Sequence, residues 1–141
     1  IALTMDWEEC CNKRIVKSVK PDIDMIDSLT KSSKNRLESE SKLMMSDVTA
    51  SSKLSLAYDS VRELLEVLAL KNGCKIYNHE CYSAFLKEII GESSKGDEFD
   101  DIRKTRNAVN YYGKHISTEE ANEVITRIKN LRIFISNLIV K

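Results

Sequence analysis

The run STEEANEVITRIKNLRIFISNL, residues 117–138, decides the fold class. Ser117 and Glu120 form a capping box, in which a hydroxyl and a carboxylate satisfy amides left free in a first helical turn. Behind them Ala121, Val124, Ile125, Ile128, Leu131, Ile135 and Leu138 recur at three- and four-residue spacing, which is one apolar stripe on a long helix. Glu123 and Arg127 stand four apart in the favourable order, supporting the exposed face by a few tenths of a kcal/mol, roughly. A second run, LSLAYDSVRELLEVL at 54–68, repeats the pattern through Leu54, Ala57, Val61, Leu64, Leu65 and Leu68. It stops at Asn72-Gly73, where glycine can take the left-handed conformation that closes a helix. One proline and four glycines leave few obligatory breaks elsewhere, so long helices are favoured over a turn-rich sheet.

Working outward, Thr4 to Val19 carries Trp7, Cys11, Ile15 and Val19 at four-residue spacing, the stripe of a short helix ended by Pro21. From Asp22 to about Met45 the stripe Ile23, Ile26, Leu29, Leu37 and Met44 is thin. Ser33 and Ser41 on that face either permit close helix approach or mark a loosely packed, partly exposed helix. Asn78 or its neighbour is expected to cap a shorter helix bearing Tyr82, Phe85, Leu86 and Ile89. Gly91 to Gly96 reads as an exposed loop. Asp97 to Tyr111 is helical, with acids in its first turn, Phe99, Ile102 and Val109 inward, and Gly113 at its end. The expected fold is all-α: an antiparallel up-and-down bundle of four to five helices in a single domain, 1–141, with an accessory helix in 1–20 and the bundle in 22–141.

At 141 residues the chain can bury a core without staples. Twenty-two basic residues balance twenty-two acidic ones, so any nucleic-acid contact must be local rather than driven by the whole-molecule field. Cys10 and Cys11 are adjacent and cannot form an ordinary bridge, and all four cysteines are read as free thiols of a reducing, cytoplasmic compartment. Cys74, His79 and Cys81 fall short of four zinc ligands, so no metal and no other cofactor is expected. No secretory signal is visible, and Ile133 to Val140, interrupted by Ser136 and Asn137, is far too short to span a membrane. Because the first residue is Ile1, a native initiator or short leader is expected to be missing.

The chemistry collects at residues 100–115, DDIRKTRNAVNYYGKH, where cations, amides, phenols and a histidine precede a glycine break. This stretch resembles the signature of the HEPN superfamily, in which an arginine followed by a polar residue and, a few positions on, a histidine forms a ribonuclease site. Arg106-Asn107 matches its beginning. Tyr111 and Tyr112 stand where the histidine is usual, and His115 comes later. The resemblance extends over the helix order from about Asp22 to Lys141 and to the stretch from Ala57-Tyr58-Asp59 to Leu70, the turn Gly73 to His79 and Tyr111-Tyr112-Gly113. It implies a homodimer with two motif helices facing one cleft, and a partner resembling a minimal nucleotidyltransferase, as antitoxin, in a toxin–antitoxin pair.

For a metal-independent ribonuclease the resemblance assigns Arg106 to phosphorane charge and Tyr111 or His115 to proton transfer, a task to which a phenol of pKa near 10 is poorly suited. As a binding module the same face engages RNA, a nucleotide or the protein partner through Arg103, Asn107, Asn110, Tyr112 and Lys114. Each residue also has a plainer reading. Arg103 and Arg106 can pair with Asp100, Asp101 or Glu120, Asn110 can bond backbone at the helix end, and the tyrosines can be packing residues. His79 reads as a helix-start or surface histidine. Ile133 and Phe134, off the stripe of the last helix, suit either a dimer surface or, by preference, packing of the N-terminal helix, because Trp7 needs a partner. The degenerate binding version is the expectation; an active ribonuclease and an unrelated helical adaptor are the alternatives.

Overall fold

The computed structural model describes residues 4–140. Its elements in chain order are α1 Trp7–Asn12, β1 Val16–Ser18, α2 Ile23–Lys42, α3 Ala50–Lys71, β2 Cys74–Ile76, α4 Glu80–Ala84, α5 Ser93–Tyr111 and α6 Thr118–Ile139. A π-helical turn, Phe85–Ile89, continues directly from α4. The all-α bundle expected from the two striped runs is present, and α3 is its centre. Leu54, Ala57, Val61, Leu65 and Leu68 are buried, and so are Tyr58, Ser60, Val67 and Leu70 on its other faces. A helix buried on nearly every side has to be surrounded, and α2, α5 and α6 all pack on it.

Side-chain pairings give the directions. Ser33 of α2 meets Ser60 of α3 and Glu40 meets Lys53, so α2 and α3 are antiparallel. Ser55 meets Asn110 and Tyr58 meets Arg106, which makes α5 antiparallel to α3. Arg132 reaches Ser60 and Lys71 reaches the carbonyl of Ile139, so α6 runs parallel to α3, as alternate helices of an up-and-down bundle must.

Polar side chains secure these contacts. Ser33 Oγ donates to the Ser60 carbonyl at 2.7 Å, Ser60 Oγ donates to the Ser33 carbonyl at 2.8 Å, and Arg132 Nε donates to Ser60 Oγ at 2.8 Å. Ser33 is therefore the small residue that lets two helices approach, whereas Ser41 is exposed. Lys53 donates to the Glu40 and Leu43 carbonyls at 2.7 and 2.6 Å, capping α2 from a neighbouring helix, and its charge is met by Glu40 at 3.2 Å.

Several expectations are corrected. The N-terminal helix does not run to Val19: it stops at Asn12, Arg14 takes φ 59°, and Ile15 to Val19 turn extended. The reason is a partner that local spacing does not reveal. Val16 pairs with Ile76 and Ser18 with Cys74 in a two-stranded antiparallel sheet, flanked by bonds from Tyr77 N to the Ile15 carbonyl and Val19 N to the Gly73 carbonyl. β-branched residues accept that alternative readily. The inward cysteine is Cys10 rather than Cys11, and Cys10 forms a disulfide with Cys81, Cα–Cα 6.1 Å, which overturns the reading of four free thiols; Cys11 and Cys74 are the free pair.

The predicted loop Gly91 to Gly96 is also mostly helix, since α5 begins at Ser93. Gly96 is buried there, because a Cβ would lie 2.8 Å from the Ser83 carbonyl and 2.5 Å from Lys87 Cγ. Glycine serves close approach at this position rather than a turn. Trp7 packs on Phe85 at a ring separation of 5.9 Å, not on the last helix; Phe134 lies under Lys95 and Ile133 is exposed. Ser117 accepts from Glu120 N at 3.1 Å, as the capping motif requires. Among the described residues no helix is long and apolar enough to cross a membrane.

Candidate functional site

The motif helix α5 presents Arg106 against the face of α3 that carries Ser55, Tyr58 and Arg62. The Arg106 guanidinium lies 4.8 Å from the ring centre of buried Tyr58 and 5.1 Å from that of Tyr111. Its Nη1 donates to Tyr111 Oη at 2.8 Å and to Asn107 Oδ1 at 3.2 Å. Nε is buried with no hydrogen-bond partner, and no carboxylate lies within 4 Å of the guanidinium among the described residues. A cation stacked on one buried ring and bonded to the hydroxyl of a second tyrosine keeps its charge and its geometry, and Nη2, which bonds no protein group, is the donor left for a ligand.

Arg103 differs. Its Nε and Nη2 donate to Asp100 Oδ1 at 3.2 and 2.8 Å, while Asp100 Oδ2 takes Lys104 at 3.1 Å and the Thr4 hydroxyl at 3.0 Å. Burial pushes the Asp100 carboxyl up, but hydrogen bonds from Arg103, Lys104 and Thr4 outweigh it and hold the group below the usual carboxylate range. The carboxylate pairing considered from sequence thus describes Arg103 and does not describe Arg106.

Asn110 exchanges hydrogen bonds with Ser55 at 3.0 and 3.2 Å, fixing the end of α5 to α3 rather than to its own backbone. Tyr111 is exposed with its ring on Arg106, and Tyr112 is exposed at the helix end. Lys114 N bonds the Ala108 carbonyl at 3.0 Å, and its Nζ is 4.0 Å from Glu120. His115 lines a small cleft with Asp47, Ser51, Val109, Gly113, Lys114 and Ile116; no hydrogen bond joins it to Arg106. The turn at Gly113, φ 67°, leads the chain toward the α2–α3 connection, so Arg106, Asn107 and Tyr111 come together without His115.

The histidine that does adjoin Arg106's surroundings is His79, just before α4. Its Nδ1 is 3.1 Å from Tyr58 Oη, and Tyr58 is the ring on which Arg106 stacks. Burial pushes the His79 imidazole down, Arg62 and Arg106 add to the effect, and the pKa falls to about 4. Burial likewise raises the Tyr58 hydroxyl far above the usual phenol range, although Arg106, Arg103 and Arg62 oppose it. Arg62 stands 3.8 Å from Asp59, which also faces Arg36 at 3.7 Å. Sequence spacing held one usable signal for this face: Ser55, Tyr58 and Arg62 fall at three- and four-residue intervals beside the apolar stripe. Nothing local ties His79 to them. No set of His, Cys, Asp and Glu side chains among the described residues is arranged to hold a metal ion. Comparison with protein-family models, with curated proteins and with solved structures finds no match.

Proposed function

We propose that the chain is a HEPN-like helical module that binds RNA or a nucleotide, or docks a nucleotidyltransferase-like partner, through Arg106, Asn107, Asn110 and Tyr111, with degenerate catalysis. The observation that carries the reading is Arg106 itself. It is the motif cation with no carboxylate within 4 Å among the described residues, stacked on Tyr58 and bonded to Tyr111, and its Nη2 is neither buried nor bonded to a protein group. A guanidinium in that condition suits a phosphate, whose oxygens accept charge-assisted hydrogen bonds from the open Nη2. As a homodimer the module would bring two such cations to one cleft, which supplies local attraction although the net charge of the chain is zero.

The second reading is a metal-independent endoribonuclease, the toxin of a toxin–antitoxin pair, and His79 is the observation that favours it. Its imidazole is joined through Tyr58 to the ring under Arg106. The binding reading is preferred because burial, with Arg62 and Arg106, holds the imidazole pKa of the free chain at about 4, well below the near-neutral value suited to proton transfer at pH 7.

Incubation of the protein with mixed RNA in EDTA, beside Arg106→Ala, His115→Ala and His79→Gln, separates the two. The expected outcome is uncleaved RNA retained by the wild type and lost by Arg106→Ala, with the melting temperature little changed. Cleavage in EDTA that vanishes in Arg106→Ala would establish the ribonuclease instead. Retention by Arg106→Ala equal to the wild type would remove both.

A further inference from the structure

Beyond the motif helix, the surroundings of Arg106 hold a group that the motif does not include. His79 enters from the turn before α4 and touches Tyr58 of α3, while the charges that act on it from two other elements are Asp59 and Arg62 of α3 and Arg103 and Arg106 of α5. On its own element, Tyr82 lies at a ring separation of 6.2 Å, and the neighbouring Glu80 is engaged with the Met5 amide at 3.3 Å. Of the charges around the imidazole three are arginines and one is the Asp59 carboxylate, which is shared with Arg36. Arg103 is paired with Asp100 and Arg62 stands 3.8 Å from Asp59, so Arg106 is the neighbouring cation with no carboxylate of its own, and it is the one from which an anion beside the half-buried imidazole gains most. Unlike Tyr58, His79 keeps part of its surface open.

We infer that His79 is a second contact of the phosphate group held by Arg106, its Nε2 edge donating to a phosphate oxygen while the Tyr58 hydroxyl fixes the ring through Nδ1. This rests on the phosphate-binding reading of Arg106 and adds a residue from outside the motif. Tyr58 suits the task in both protonation states. A phenol hydroxyl donates to the bare Nδ1 of neutral histidine and accepts from the Nδ1–H of the cation, so the bond survives when the imidazole gains a proton. The bound anion offsets the arginines that disfavour that proton. Phosphate binding is therefore accompanied by proton uptake at His79, and affinity rises as the pH falls. The ligand class is a nucleotide phosphate, either the diester of an RNA chain or the monoester of a free nucleotide.

The chain has two histidines, so their ring signals can be resolved by NMR in the unmodified protein. The probe is oligouridylate, whose diester charge stays constant across the range, with uridine monophosphate as a second arm. We expect saturating oligouridylate to move the titration of His79 to higher pH and to leave His115 in place. Wild-type affinity by fluorescence anisotropy should strengthen between pH 6.5 and pH 4.5, by up to about tenfold per pH unit, and His79→Gln should flatten that slope. A shift with oligouridylate alone assigns the site to the RNA backbone, and a shift with both ligands assigns it to nucleotide phosphates generally; either supports the inference. Binding that depends on Arg106 while the His79 titration stays unmoved would overturn the inference and leave the phosphate reading standing. No binding that depends on Arg106 would overturn both.

Discussion

Arg106 and Arg103 are three residues apart on one helix, yet their environments set them different work. The Arg103 charge is consumed by Asp100, whereas Arg106 is held by rings and amides. Truncating Arg103 should therefore unsettle Asp100 and the Thr4 contact, while under the phosphate-binding proposal truncating Arg106 should cost binding; thermal melts paired with RNA retention distinguish the two. His79 adds a pH dependence of known sign. Its folded pKa, about 4, lies below the unfolded value, so its contribution to stability is complete above about pH 6.5 and erodes as pH falls toward 4. Asp100 acts in a lower window: its folded pKa is depressed, and what it contributes is lost as pH falls through that value. Urea unfolding at pH 7.5 and 4.5 should show a smaller loss in His79→Gln than in the wild type. Equal losses would mean that His79 is not buried as described.

At the scale of elements, the bundle depends on contacts between helices that are poor when isolated. Helix α2 has a thin stripe, and what holds it is Ser33 against Ser60, Arg36 against Glu63 at 2.5 Å, and Lys53 at its C-terminal carbonyls. Lys53→Met leaves those carbonyls uncapped and Glu40 with Lys129 alone, and should cost about 3 kcal/mol, the lower end for a broken buried pair. Gly96→Ala presses a methyl on the Ser83 carbonyl and Lys87, where α5 crosses α4, and should cost about 1–3 kcal/mol by chemical denaturation. The α1–β1 segment is fastened by the Cys10–Cys81 disulfide, which closes a loop with a sequence separation of 71. Reduction or Cys10→Ser should lower stability by about 2–4 kcal/mol. An unchanged midpoint in reductant would mean that the bridge contributes nothing.

For the whole molecule, zero net charge gives a distinctive expectation under the phosphate-binding proposal. Affinity for single-stranded RNA should depend on salt only as far as the local cations allow, with a logarithmic slope of about −0.7 per phosphate neutralised. Arg106→Ala should reduce that slope as well as the affinity. The proposed homodimer makes a separate demand: sedimentation should give the mass of two chains, and a cleft shared by two motif helices should lose RNA when the chain is made monomeric. Exposed Ile133 on α6 is the apolar side chain to change first, because Trp7 packs on Phe85 and leaves Ile133 open.

Periodicity and capping determined the helices. The stripes of 54–68 and 117–138, the Asn72-Gly73 stop and the Ser117 box are local statements about which backbone groups and apolar faces need partners, and α3 and α6 follow from them. Residues 103–111 were legible as a polar cluster for the same reason, because about a turn and a half of helix brings Arg106, Asn107 and Tyr111 together. What only the tertiary structure decided lies at long sequence separation. Ile15 to Val19 leave the helical state because Cys74 to Ile76 offer a ladder, and Cys10 meets Cys81 because α1 packs on α4. Position 96 of helix α5 holds glycine because another helix approaches it, and His79 rather than His115 neighbours the Arg106 stack because Tyr58, buried between helices, bonds one histidine while Gly113 turns the chain and the other away. Spacing along the chain records which residues share a face, but the distance between faces is set by packing, and that is why the nearness of His79 to the Arg106 stack could not be read from spacing.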